Sequence, residues 1–440
     1  MLGYYLELAV RSLKRSPGLT ALMMLTIAFG VAASMTMHAV VRGLSADPMP
    51  GKSSQLFMPQ IDSFGPGNRF HDEPPDALNY ADAMALMHQH RALRQSAIYA
   101  ISPSAMPTET SRNRSPILLD GYAVYGEFFP MLEVPFHYGH GWSAQDDAAR
   151  SPVAVISDRL NRQVFGGGSS VGKTIDIDNR DYRIVGIIRD WNPQPRFFDV
   201  KGGYYSVEGP DVFLSFRHSV AIHMVNAGWD GCRKGTSDPQ GDFVALQNSD
   251  CVWIAYMAEL NDPAAARRYR QYLDDYASDQ QKAGRFRWAP NNRLRDLPAF
   301  LDVEHLVPGN IRLSQLVAIG LLLVCLVNTM GLLLAKFLRS SSEIGIRRAL
   351  GASRRAIHAQ FLIEAAVIGI GGGVLGLLLA VVGVLCMGQV LSSAYADRAQ
   401  IDTSLLTLTL LVAVIATLLA GVYPILRASH VPPAWHLKAP

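Results

Sequence analysis

The residues Gly167-Gly168-Ser169-Ser170-Val171-Gly172-Lys173-Thr174 satisfy the phosphate-binding pattern G-x-x-x-x-G-K-[ST] at every position. Such a loop holds phosphate because a strand delivers its backbone N–H groups and a following helix turns its N-terminus toward the anion. Here the order is reversed. Ser157 to Phe165 reads as a helix ahead of the turn, and Ile175, Ile177 and then Tyr182 to Ile188 read as strands behind it. The turn is expected to feed a hairpin and Lys173 to bind no nucleotide. The embedded Gly168-Ser169-Ser170-Val171-Gly172 copies the G-x-S-x-G nucleophile elbow, which also needs strand, turn, helix. Asp176, Asp178 and His137 stand at no spacing that would make them its partners, so hydrolase chemistry is not expected.

Gly371-Gly372-Gly373-Val374-Leu375-Gly376 fits a dinucleotide fingerprint but lies inside an apolar run. The pairs Gly369, Gly373 and Gly372, Gly376 instead have the small-x-x-x-small spacing that lets membrane helices pack closely. No H-E-x-x-H, C-x-x-C or other metal-ligand spacing occurs, and the 12 histidines are dispersed. No catalytic residue, cofactor or metal site is therefore expected.

The elements that must carry these residues follow from composition. Of 440 residues, 49% are hydrophobic and 18% charged, against a usual charged share of roughly 25%. The net charge of +3 gives no reason to expect a nucleic-acid partner. The apolar excess is concentrated in Leu19 to Val41, Leu313 to Leu338, Ala365 to Val390 and Leu405 to Leu426, each long enough to cross a bilayer, which takes about 20 residues. The first run lacks a small-x-small cleavage site near Arg42 and reads as a retained anchor. His38 and Glu364 sit near span ends, where either can reach an interface, and a structural role is expected for both. Asn328 is expected to hydrogen-bond between helices.

Four spans put both termini on one side. Arg11, Lys14, Arg15, Lys336, Arg339, Arg347, Arg348, Arg354, Arg355, Arg427 and Lys438 cluster near the spans on what must be the cytoplasmic side. Residues 43–311 then lie outside. They hold 26 basic and 32 acidic residues, a net of −6, so a mildly acidic outer domain offsets a basic inner face. Within it, Pro75 and Asp76 are expected to open one helix, and Asp262 with Pro263 another carrying a stripe of Tyr269, Tyr272, Leu273 and Tyr276. Val153 to Ile156, Tyr182 to Ile188, Val212 to Phe216 and Val252 to Met257 read as strands, and Ser219 to Asp250 as a loop insertion. Cys232 and Cys251 are the cysteines outside the membrane, 19 positions apart around a polar segment. An oxidising compartment favours a bond between them; the alternative is two free thiols, with Cys251 an ordinary buried residue.

Between the second and third spans runs Ser342-Glu343-Ile344-Gly345-Ile346-Arg347-Arg348-Ala349-Leu350-Gly351-Ala352-Ser353. It is expected to be a short amphipathic helix, with Ser342 as cap, Glu343 at its positive end and Gly351 as its stop. Together with Gln360-Phe361-Leu362-Ile363-Glu364 and the Gly-rich span, this stretch resembles the signature of the MacB/FtsX-like permeases of ABC transporters. Tyr122 to Val134, Gly139 to Trp142, Ser151 to Asp158, Phe165 to Thr174 and Tyr182 to Asp190 are similar, in order, to that family's periplasmic core. Gly421-Val422-Tyr423-Pro424 and Arg427-Ala428-Ser429 resemble the end of its last span. The tail Pro432 to Lys438 departs from the family's usual ending.

The resemblance implies an α-helical membrane protein with four transmembrane helices and a large α+β extracytoplasmic domain inserted between helices 1 and 2, in a bacterial inner membrane. The expected divisions are an amphipathic segment 1–18, spans 19–41, 313–338, 361–391 and 404–427, a coupling loop 339–360, an outer loop 392–403 and a tail 428–440. The outer domain 43–311 would divide into a membrane-proximal part, 43–115 with 218–311, and an inserted β-rich part, 116–217. As implied partners it has a separate ABC ATPase subunit, since no nucleotide-binding domain precedes the first span, a second permease in a homo- or heterodimer, a periplasmic adaptor with an outer-membrane channel, and membrane lipids. The ATPase would be met by Glu343, Ile344, Gly345, Ile346, Arg347, Arg348, Leu350 and Gly351. Export of a substrate is the function implied. The other reading is a membrane-anchored regulator of periplasmic cell-wall or lipoprotein processing.

Overall fold

The computed structural model describes residues 2–44, 47–69, 72–106, 115–200, 203, 206, 208–234, 239, 241–304, 309–339, 353–390 and 403–429. The chain forms two compact units, residues 1–45 with 307–440, and residues 46–306. The first unit opens with α1 (Leu2–Arg15), an amphipathic helix that buries Ala9 and Leu13 and leaves the Arg11–Glu7 pair exposed. The span helix α2 (Pro17–Leu44) follows.

The second unit is built on strands β1 (Leu56–Gln60), β2 (Arg94–Ile101), β3 (Ser104–Ala105), β4 (Ile117–Leu118), β5 (Gly121–Val124), β6 (Phe136–Gly139), β7 (Val153–Ser157), β8 (Thr174–Ile177), β9 (Arg180–Ile188), β10 (Val212–Ser215), β11 (Ala255–Glu259) and β12 (Arg293–Asp296). They pair as one mixed sheet in the order β12-β1-β11-β2-β5-β10-β7-β9-β8-β3-β4, with β6 also on β9. β5 with β10 and β7 with β9 run parallel, the other pairs antiparallel. Strands of residues 116–217 occupy one end of the sheet and those of the two flanks the other, apart from β3. The two groups meet where β2 pairs β5.

Helices α3 (Tyr80–Gln89), α4 (Phe128–Met131), α5 (Ala144–Ala149), α6 (Asp158–Phe165), α7 (Phe216–Ala221), α8 (Phe243–Gln247), α9 (Pro263–Lys282) and α10 (Leu297–Val303) accompany this sheet. Both faces of the sheet are covered, so its central strands read as unbroken apolar runs whose alternate side chains enter different cores. Val212 and Leu214 join one core with Leu86, Leu160, Phe216 and Tyr269, while Phe213 joins the other with Phe128, Phe198 and Phe300. The described residues that follow the outer unit form α11 (Gly309–Arg339), α12 (Arg354–Val390) and α13 (Thr403–Ser429) of the first unit, the three remaining spans.

Several boundaries are corrected: the strand expected over Val252 to Met257 is Ala255–Glu259, and the expected loop insertion Ser219 to Asp250 holds the end of α7 and all of α8. The helix expected from Pro75 begins at Tyr80, because Asn79 caps it by accepting the Asp82 N–H at 2.9 Å while Leu78 is bridged to Ile254. The strand expected to run to Phe216 stops at Ser215, and Phe216 opens α7. The second expected helix starts where Asp262 and Pro263 put it, and buried Asp82 ties its far end to α3 by accepting from Tyr276 Oη at 2.6 Å and from Arg285 Nη1 at 2.5 Å. Asp147 is a second polar anchor: it accepts from Gly126 N–H, Trp142 Nε1 and Ser215 Oγ at 2.8, 2.9 and 3.0 Å. Burial pushes its carboxyl up to about 6, against the pull of those donors.

The Gly-rich turn sits between α6 and β8, after a helix and before a strand. Gly166 ends α6 at φ +79°, and Gly167, Gly168 and Gly172 also take positive φ. Two of the N–H groups a phosphate would need are already used: Gly172 donates to Ile184 O at 2.8 Å and Lys173 to Ser170 O at 3.0 Å. Ser170 is buried and donates to Asn161 Oδ1 at 2.6 Å, and Lys173 Nζ lies 5.5 Å from the Phe165 ring centroid. This arrangement offers neither a phosphate cradle nor an exposed nucleophile. Cys232 and Cys251 are joined, with Cα atoms 4.2 Å apart, beside the Gly231–Val252 bridge; Cys325 and Cys386 are free.

Two outcomes are expected. Lys173→Ala should leave nucleotide photolabelling of the chain unchanged; specific ATP labelling that disappears with this substitution would restore the phosphate loop. Peptide mapping without reductant, after thiol blocking, should recover Cys232 and Cys251 in one linked product. Serine at both positions should then lower outer-domain stability by about 3 kcal/mol, from the closed loop alone. Recovery of both as blocked free thiols refutes the bond.

Candidate functional site

The residues expected to meet an ATPase, Glu343 to Gly351, lie outside the described residues. What is described is the pair of helix ends that hold them, Arg339 on α11 and Ser353 before α12. Ser353 starts α12 as a cap: its Oγ accepts the Ala356 N–H at 3.3 Å. The helix therefore begins inside the segment expected to be loop up to residue 360.

Lys336, one turn before the end of α11, donates to Glu364 Oε1, about three turns into α12, and the two residues are only 5% and 1% exposed. Ser12 of α1 donates to the same oxygen at 2.9 Å. The rings of Phe337 and Phe361 pack beside the pair, centroids 4.2 Å apart. Three helices thus meet on one carboxylate. The expectation that Glu364 reaches an interface and that Lys336 belongs with the water-facing charges is corrected: each satisfies the other in the interior. Removing one partner would strand a buried charge, at a cost of about 3–5 kcal/mol.

Farther along α12, the four glycines divide their contacts between two neighbours. A Cβ on Gly369 would lie 3.0 Å from Thr417 Oγ1, and one on Gly373 would lie 2.9 Å from Ala413 Cβ, both on α13. On Gly372 it would meet Ile27 Cβ at 3.0 Å, and on Gly376 the Ala28 carbonyl oxygen at 3.1 Å, both on α2. The same device joins α2 to α11, where a Cβ on Gly30 would come within 2.9 Å of Cys325 Cβ. Sequence reading missed Gly30, although Gly30 and Ser34 have the spacing noticed in α12. Asn328 is corrected as well. It is exposed on α11 beside Val324 and Val327, themselves 65% and 67% exposed, and is hydrogen-bonded to none of the described residues of the other helices. His38 is half-buried.

Among the described residues no group of three or more His, Cys, Asp and Glu could hold a metal ion. The arrangement is one of joints. A glycine-lined helix is clamped between two others, and a buried ion pair in its first half fastens it to α11.

The family model of the MacB-like periplasmic core domain matches residues 20–275, and that of the FtsX-like permease C-terminal region matches residues 316–433. The macrolide export ATP-binding/permease protein MacB of Sodalis glossinidius is 24% identical over 391 residues, covering 86% of this chain and 52% of that protein. MacB of Pasteurella multocida is 25% identical over 422 residues, covering 94% and 57%. The pyoverdine export ATP-binding/permease protein PvdT of Pseudomonas aeruginosa is 26% identical over 268 residues, covering 60% and 35%. The chain spans about half the length of the MacB relatives it matches. With four apolar helices and a core-domain match that begins in the first of them and covers most of the outer unit, the chain belongs to the MacB/FtsX-like family of ABC transporter permeases, as a multi-pass inner-membrane protein with a large periplasmic domain.

Proposed function

We propose that this chain is a permease subunit of a MacB-type ABC exporter, in which an ATPase subunit drives conformational change in the periplasmic domain and so expels a substrate. The observation that carries the reading is the meeting of α1, α11 and α12 on Glu364, since α11 and α12 are the two helices that residues 340–352 connect in sequence. A push on that connecting segment is received by helices already locked together, so it moves them as a body instead of bending one of them. The names of the relatives, which join ATP binding, permease and export, agree with this division of labour. A second permease copy or a related chain would complete the pair of coupling segments that a closing pair of ATPases requires. A periplasmic adaptor and an outer-membrane channel would carry the substrate onward. The proposed division of the outer domain is supported by the strand order, in which the strands of 116–217 lie at the end of the sheet remote from β1 and β12.

The test uses the tagged chain extracted in mild detergent. Reversing Arg347 and Arg348 together to Glu should detach the ATPase from the purified complex while the permease still inserts. Glu364→Gln should keep the ATPase bound but reduce substrate export per ATP hydrolysed by tenfold or more. Unchanged co-purification in the first variant and unchanged export in the second would reduce the segment to a lipid-facing helix.

A further inference from the structure

A cleft of about 540 Å³ opens in the periplasmic domain between α3, α7 and the turn after β5. That is a size typical of small-molecule sites. Its floor is apolar: Met84, Met87, Tyr125, Phe216 and Val220, with the Tyr125 and Phe216 rings stacked at 5.3 Å. The paired methionines give that floor an adaptable shape. Apart from tyrosine hydroxyls and the Gln247 amide, its polar side chains are all basic. Arg150, Arg217, His88 and His223 line the cleft, and no Asp or Glu does.

Neither Arg150 nor Arg217 makes an ion pair with the described residues, in a domain where most buried or half-buried arginines do. Asp147, whose titration responds to Arg217, spends its oxygens on Gly126, Trp142 and Ser215. The Tyr125 hydroxyl is also underused: it donates to the thioether of Met84 at 3.6 Å, a weak acceptor. An apolar floor, an O–H without a strong acceptor and guanidinium groups that form no ion pair with the described residues are the complement of one kind of molecule. We propose that this cleft binds a small amphipathic anion, an aromatic or aliphatic body bearing a single carboxylate. The body would lie on Met84, Met87 and Phe216, and the acid would accept from Arg217 and Arg150, charge-assisted bonds made stronger by the low dielectric of the floor. The assignment does not rest on the export reading, because it concerns equilibrium binding to the permease alone.

The experiment uses the full chain in lipid nanodiscs, with empty nanodiscs as the partition control. The probes are 2-naphthoate and its neutral counterpart 2-naphthalenemethanol, and binding is followed by saturation-transfer NMR. Naphthoate should bind about tenfold or more tightly than the alcohol. Arg150→Gln with Arg217→Gln should remove that difference while leaving the alcohol's affinity unchanged, and Ala221→Trp, at an exposed position on the cleft wall, should weaken both probes. Equal affinity of the two probes, or naphthoate binding that the arginine substitutions leave unchanged, overturns the proposal. If the double variant loses its cooperative melt, Arg150→Gln alone decides, since that side chain is exposed; naphthoate affinity reduced severalfold supports the site, and unaltered affinity refutes it.

Discussion

The membrane unit depends on how near α12 comes to its neighbours. In lipid, apolar side chains gain nothing by leaving hydrocarbon for one another, so helices are held by van der Waals contact and by the few polar bonds they can share. Both require close backbones. Gly369 and Gly373 fall on one ridge of α12, Gly372 and Gly376 on the next, because residues three and four apart lie along neighbouring lines of a helix with 3.6 residues per turn. A single Gly-rich stretch can therefore approach α13 with one pair and α2 with the other. Side chains of ordinary size at those positions would separate the three helices along their length. The Lys336–Glu364 pair would then lose the enclosure in which it forms.

How much of this was legible in the residues depends on the range of the interaction. The spans, their order and the small-residue spacing are local patterns, and so are the Asp262-Pro263 helix start and the helix-turn-strand order that disqualifies Gly167 to Thr174 as a phosphate loop. The Lys336–Glu364 pair is not local. Counting basic residues near span ends treats each lysine as water-facing, and nothing within a few positions of Lys336 signals a carboxylate 28 residues later on another helix. Asn328 failed for the opposite reason, since a polar residue in a span shows that a partner is wanted but not on which side of the helix. The opening of α3 was misplaced because Pro75 and Asp76 are sound start residues locally, while the strand-like bridge from Leu78 to Ile254 depends on a chain segment far away. The cleft beside Phe216 was hidden for the same reason: its floor and rim come from five separate stretches between Tyr80 and Gln247.

The outer domain's sheet has one further consequence, which concerns the order in which the protein can be made. β1, the first strand after the first span, is seated between β11 and β12. Both of its partners are among the last strands of the domain to leave the ribosome, and the closure entropy of so long a loop must be met before their contacts return anything. The strands from β4 to β10 pair mainly with one another and can assemble during translocation. β1 must wait, open-edged, until Ala255–Glu259 and Arg293–Asp296 have crossed the membrane. By then α11 is the next segment to enter the bilayer, so completion of the sheet and insertion of the second span are nearly simultaneous events in biogenesis.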